Sequence, residues 1–239
     1  MRKHLLAAFL ALAVAAAVPP GALAYEAGTV KDGGAIKGKV VFKGQSVPTR
    51  TVLPTKDKEV CGDIRKEPLV EVGKGGGVRN AVAIIKEIAR GKAWGKPAEA
   101  PRLDNDKCVF VPHVQVMQVG SEIAIHNSDP MLHNTHGFYG KKTAFNVALP
   151  FPGAEVKRKL DKPGVVRVDC DVHGWMQGWI FVADNPYYAL TGEDGSFTIG
   201  DVPAGDYTIL IWQEHAGEME RQVSVKAGET TDIGTVEIK

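Results

Sequence analysis

Cys170-Asp171-Val172-His173-Gly174-Trp175-Met176 places a thiolate, an imidazole and a thioether at i, i+3 and i+6. A three-residue period aligns side chains on one side of a tight turn, as in 3₁₀ geometry. Val165–Cys170 before it and Trp179–Ala183 after it are rich in Val, Ile and aromatic residues, so both flanks read as strands. Working outward, short Val/Ile-rich runs bounded by Gly, Pro, Asn and Asp recur along the chain. They are Ala35–Phe42, Ala81–Ile88, Val114–Val119, Glu122–Asn127, Ser196–Ile199, Tyr207–Trp212 and Gln222–Val225. Few stretches carry helical spacing, although Ala81–Arg90 also reads as a short helix. The pattern predicts an all-β protein.

A Cys, a His and a weak Met donor lack only one imidazole to complete the His₂Cys trigonal set with an axial thioether that defines type 1 copper. His133 can supply it. It follows the strand Glu122–Asn127 in Asn127-Ser128-Asp129-Pro130-Met131-Leu132-His133-Asn134, 37 residues before Cys170. Singly, a strand Cys is core, a turn His is surface and a Met is packing. Their joint spacing is what points to metal. Thiolate plus imidazole also suits zinc, whereas thioether favours copper, and a relic site without metal stays open. His113 follows Pro112 at a strand start and reads as structural, and His136 reads as a neighbour of the site before it reads as a ligand.

Met131-Leu132-His133-Asn134-Thr135-His136, followed by Cys-x₂-His-x₂-Met, resembles the amicyanin branch of the cupredoxins over residues 105–185. The resemblance implies an eight-stranded Greek-key sandwich or barrel holding one type 1 copper through His133, Cys170, His173 and Met176. It also implies that the Asn134 side chain ties the two ligand loops together. Val172, Trp175, Met131, Leu132 and Phe138 would then surround the edge of a semi-exposed His173, an apolar patch suited to docking. No open coordination position is implied, so the expected task is one-electron transfer to a redox protein such as a cytochrome or dehydrogenase, not catalysis. Copper sequestration or delivery is the alternative. A structural or carbohydrate-contacting module dominated by residues 30–90 and 190–239 is another, weakened by the lack of any aromatic platform there beyond Trp212.

The C-terminal part, Thr191–Ile199 then Val202–Ile209, shows two turn signals separated by an alternating strand. Its Asp194-Gly195-Ser196-Phe197 hairpin resembles the carboxypeptidase regulatory-like (transthyretin-like) β-sandwich. In that family a Gly-x-Val strand and a strand like Asn80-Ala81-Val82-Ala83-Ile84 come first, and Gly38-Lys39-Val40 fits the former. The roughly one hundred residues between Ile84 and Thr191 then read as an insertion, which chain-end proximity makes structurally cheap. The expected organisation is a regulatory-like sandwich built from residues 30–101 and 187–239, with a cupredoxin domain, residues 102–186, inserted. The mature chain as a whole resembles exported methylamine-utilisation-like proteins that combine these two domains.

The chain opens with Arg2-Lys3-His4, an apolar run from Leu5 to Val18 and then Ala22-Leu23-Ala24, the layout of a secretory signal peptide over residues 1–24. Pro19-Pro20-Gly21 interrupts the run short of the roughly 20 apolar residues a bilayer span needs. The expectation is a periplasmic or otherwise exported protein with no membrane span after cleavage. Loss of the leader removes Arg2 and Lys3, leaving 27 basic residues against 28 acidic ones, a balance that argues against nucleic-acid partners. Three cysteines leave one over after any single disulfide. With Cys170 in the metal-like cluster, Cys61 and Cys108 are the candidates for a bridge, although sequence does not fix the connectivity.

Overall fold

Gly164–Asp169 buries Val166 and Val168 and turns the residues between them outward, the period-two pattern of a strand with one face on a core. Glu122–Asn127 does the same with Ile123, Ile125 and Asn127. Strands of this kind account for most of the protein, which a computed structural model describes over residues 25–96 and 99–239. The expected leader, residues 1–24, lies outside the described residues. No helix among those residues is long and apolar enough to cross a membrane.

Residues 102–183 form two sheets. One runs in the order Glu155–Lys159, Glu122–Asn127, Arg102–Asp106, Val109–Val111, and the other in the order Lys142–Leu149, His133–Tyr139, Gly164–Asp169, Gln177–Ala183, Val114–Gln118. Glu122–Asn127 pairs in parallel with Arg102–Asp106, and Gln177–Ala183 in parallel with Val114–Gln118, so the chain crosses between the sheets. Between them lies an apolar core that includes Leu103, Ile123, Ile125, Leu149, Val166, Val168 and Ile180.

The chain on either side builds a second pair of sheets. Tyr188–Leu190, Val82–Ile85, Gly205–Gln213 and Gly217–Val225 form one, and Ser196–Val202, Gly34–Phe42 and Thr230–Ile238 the other. Its own core contains Ile36, Val40, Ala83, Ile85, Ile209, Ile211 and Val236.

The two sandwiches meet through facing sheets. Val82 and Ile84, on the opposite face of their strand from Ala83 and Ile85, pack with Val114, Phe181, Ala183 and Trp212. Trp212, the one candidate platform of the carbohydrate-contacting alternative, is buried here, its ring centroid 5.5 Å from Trp179 and 6.2 Å from Phe181. Burial on both faces also explains why Ala81–Arg90 reads as strand or helix alike: its strand, Val82–Ile85, shows no polar alternation because neither side meets water.

Residues 49–68 lie before residues 102–183 in sequence, and their Val60 and Cys61 pack into the core between those two sheets. Thr49–Val52 and Arg65–Pro68 pair as an antiparallel ribbon with a single helical turn, Lys58–Cys61, between them. Cys61 is buried in that core and disulfide-bonded to Cys108. This strap lies against the Cys170–Met176 loop, with Asp57 on His173 and residues 50–53 and 55 facing Val172 and Trp175.

Candidate metal centre

His133 opens the strand His133–Tyr139. Alternation there turns His133, Thr135 and Gly137 into the core and leaves Asn134, His136 and Phe138 on the other face. Cys170 continues the inward series of Val166 and Val168 one residue past the end of its strand. The chain then bends, and the His173 N–H donates to Cys170 Sγ at 3.3 Å while the Met176 N–H donates to the His173 carbonyl at 2.9 Å. These contacts fold His173 back beside Cys170 and drop Met176 into the same buried cluster.

The donor atoms converge. Cys170 Sγ lies 3.9 Å from His133 Nδ1 and 3.8 Å from His173 Nδ1, and the two Nδ1 atoms are 3.0 Å apart. All three residues are buried. Donors held about 2.0–2.3 Å from a shared ion stand about 3–4 Å from one another, so the spacing fits a single ion. Both Nε2 atoms meet carboxylates, His133 that of Asp129 and His173 that of Asp57, each at 2.8 Å. An ionised carboxylate only accepts, so each imidazole carries its proton on Nε2 and presents a lone pair from Nδ1. Two lone pairs facing each other beside a thiol repel unless a cation lies between them. Burial pushes the His133 pKa down, outweighing the Asp129 hydrogen bond that pulls it up, with the neighbouring His173 adding to the depression. A neutral imidazole is the form that binds metal.

Asp129 also accepts the backbone N–H groups of Lys107 at 2.6 Å and Cys108 at 2.8 Å. Its own N–H donates to Asn127 Oδ1 at 3.0 Å, and the Asn127 amide donates to the carbonyls of Met131 and Leu149 at 2.8 and 3.0 Å. Asn127 thereby shapes the loop that delivers both Asp129 and His133. Asn134 Oδ1 accepts the Asp171 N–H at 2.7 Å, joining the strand of His133 to the loop of Cys170. His136 stands outside the donor set, paired with Asp171 at 3.1 Å and Thr143 at 3.0 Å. His113 is remote from it, 2.7 Å from Glu214.

The apolar patch expected around a semi-exposed His173 is not formed. His173 is fully buried, because the strap places Asp57 on its outer nitrogen. Val172 and Trp175 face strap residues Arg50–Leu53 and Thr55 across a cleft of about 420 Å³, and the Trp175 ring lies 5.2 Å from that of His173. Phe138, on the outward face of its strand, stacks on His136 at 3.9 Å under the Arg167 guanidinium. Met131 is half-buried, and of the five only Leu132, at 43%, is exposed.

Asp57, Asp129 and Asn127 are the site residues that the sequence reading missed. Asp129 and Asn127 stood in the segment already singled out around His133, where an Asx-rich turn before a ligand is a readable signal. Asp57 carries none, since it meets His173 across 116 residues of chain.

Residues 164–233 match the family model described as Polysaccharide lyase family 4, domain II. The match runs from the strand before Cys170 through the ligand loop and into the second sandwich. The chain is 40% identical over 57 residues to a probable rhamnogalacturonate lyase A of Aspergillus flavus, which covers 24% of this chain and 11% of that one. It thus spans about a tenth of the length of that relative. Among solved structures it is similar to amicyanin from Paracoccus versutus, at 18% identity over 37% of this chain and 85% of that one with a TM-score of 0.33. A purple cupredoxin from Nitrosopumilus maritimus is similar at 20% identity over 35% of this chain and 99% of that one, with a TM-score of 0.31. A copper-containing nitrite reductase from Thermus scotoductus is similar at 21% identity over 40% of this chain and 25% of that one, also at 0.31.

Proposed function

We propose that this chain is an exported, non-enzymatic electron carrier that binds one type 1 copper through His133, Cys170, His173 and Met176. The reading is carried by one observation: a buried thiol and two buried imidazole nitrogens converge on a common point, with Nδ1 atoms 3.0 Å apart. Met176, buried in the same cluster, offers the soft thioether that selects copper over zinc. Copper in such a set supplies reversible one-electron chemistry. The chain's own residues hold the donors still: Asp129 and Asp57 fix the imidazoles, the His173 N–H fixes the sulfur, and Asn134 fixes the loop spacing. Rigid donors favour electron transfer because little has to rearrange when the charge changes.

The Cys61–Cys108 disulfide supports placement in an oxidising, exported compartment such as the periplasm. A redox protein such as a cytochrome or dehydrogenase is the proposed partner, and Leu132, exposed and adjacent to His133, is the proposed contact. The second sandwich, with its Asp194-Gly195-Ser196-Phe197 hairpin, is read as a regulatory-like support for the copper domain. Its lyase-like segment argues less for carbohydrate contact because Trp212 is buried between the domains.

Carrier and copper-delivery protein differ in whether metal survives redox cycling. Protein-film voltammetry of the copper-loaded protein in a competing chelator distinguishes them. A carrier gives a reversible one-electron wave that persists over many cycles, and a delivery protein loses its wave as Cu(I) leaves.

A further inference from the structure

We infer that Asp57 is a positioning residue of the metal centre, supplied by the strap, which holds the His173 imidazole in its metal-binding tautomer and closes its outer edge. The inference rests on the metal reading above and adds to it a residue from outside the inserted domain.

Asp57 sits at the N-terminus of the Lys58–Cys61 turn, where an Asp ordinarily caps with its side chain. Here the side chain makes no capping bond and reaches His173 Nε2 instead, at 2.8 Å. Its backbone is left-handed, at φ 51° and ψ 36°, a region that Asp and Asn tolerate better than other side chains. The carboxylate is 33% exposed while the imidazole beneath it is fully buried, so His173 meets solvent through Asp57. This contact mirrors that of Asp129 with His133, and the two aspartates are linked through the disulfide and a hydrogen bond on either side of it. The Cys61 N–H donates to the Asp57 carbonyl at 2.9 Å, Cys61 is bonded to Cys108, and the Cys108 N–H donates to Asp129 at 2.8 Å. The disulfide therefore holds in one frame the anchors of both imidazoles. A carboxylate on the far nitrogen of a ligating His fixes its orientation and raises its basicity, and losing such a group typically lowers metal affinity about 10–100-fold. The negative charge also favours the more highly charged oxidation state of a bound ion.

The test uses the full mature chain with its disulfide intact, as wild type, Asp57→Asn and Asp57→Gly. Asn keeps the shape and the left-handed backbone while removing the charge, and Gly removes the acceptor while easing the backbone. Co(II) and Cu(II) are titrated against a competing chelator, and the visible thiolate-to-metal band, the reduction potential and the thermal midpoint of the metal-free protein are recorded. The expected result is an about 10–100-fold loss of affinity in Asp57→Gly and a smaller loss in Asp57→Asn, whose amide oxygen still accepts from Nε2, with the metal-free midpoint unchanged. A tenfold preferential loss for Cu(II) over Cu(I) corresponds to a potential raised by about 59 mV. Variants that match wild type in affinity and potential overturn the inference. So does an affinity loss accompanied by an equal loss of metal-free stability in both, which assigns Asp57 to holding the strap alone. If wild type binds neither ion through a thiolate, the metal reading falls and the inference falls with it; if wild type binds and the variants equal it, the inference alone fails.

Discussion

A buried carboxylate is costly unless its lone pairs find donors, and Asp129 finds three, in Lys107 N–H, Cys108 N–H and His133 Nε2. Lys107 and Cys108 form the two-residue turn between Arg102–Asp106 and Val109–Val111, both at positive φ, 51° and 58°. Such a turn ordinarily uses Asn-Gly or Asp-Gly, and here the carboxylate capturing both N–H groups helps to hold two ordinary side chains in that conformation. Asp129→Ala leaves these donors unsatisfied in a buried place. It is expected to destabilise the metal-free protein by about 3–5 kcal/mol in urea unfolding, with Asp129→Asn milder because its amide oxygen still accepts. The Cys170, His173 and Met176 arrangement was legible because it is a local period in one turn. His133 was legible because it follows a readable strand. Asp57 was not, because a contact 116 residues apart depends on how a ribbon lies over a sheet end, which no local pattern encodes.

Strands facing a single core show their period-two pattern in the sequence, whereas strands facing two cores lose it. Gln177–Ala183 sends Ile180 and Val182 to one core and Phe181 and Ala183 to the interface. The strap gave no signal of its own. Thr49–Val52 and Arg65–Pro68 are short and largely polar, and Glu67 holds the ribbon together by accepting from Arg50 at 2.7 Å and Arg65 at 2.9 Å. Its anchorage is the Cys61–Cys108 bond, which closes a sequence separation of 47 residues. Loop-closure entropy for that span is worth about 4 kcal/mol, with typical measured values of about 2–4. Cys61→Ser combined with Cys108→Ser is therefore expected to lower unfolding stability by about 2–4 kcal/mol. Amide hydrogen exchange should quicken over residues 49–68 while the strand cores stay protected.

At the scale of the molecule, the two sandwiches are joined by an apolar seam and by Glu214. This residue accepts from Trp179 Nε1 at 2.6 Å and pairs with His113 at 2.7 Å, linking the turn after Gly205–Gln213 to the sandwich of residues 102–183. Burial disfavours the charged His113 imidazole, but the hydrogen bond and charge of Glu214 outweigh it, and the pKa is raised above its ordinary value of about 6.5. A raised folded-state pKa means that the pair's contribution to stability is fully present below about pH 6.5 and is lost as pH rises through the folded value. Urea midpoints should thus fall as pH increases across this window, and Glu214→Gln should flatten that part of the profile. A profile unchanged by the substitution would place the pH dependence elsewhere. The measurement bearing most directly on the central claim is a Cu(II) titration of the mature protein followed by visible absorption and electron paramagnetic resonance, with Cys170→Ser in parallel. A type 1 site gives an intense thiolate-to-copper band and narrow copper hyperfine splitting at one equivalent, both absent from the variant. A colourless, weakly held copper, or a band that survives Cys170→Ser, would contradict the claim.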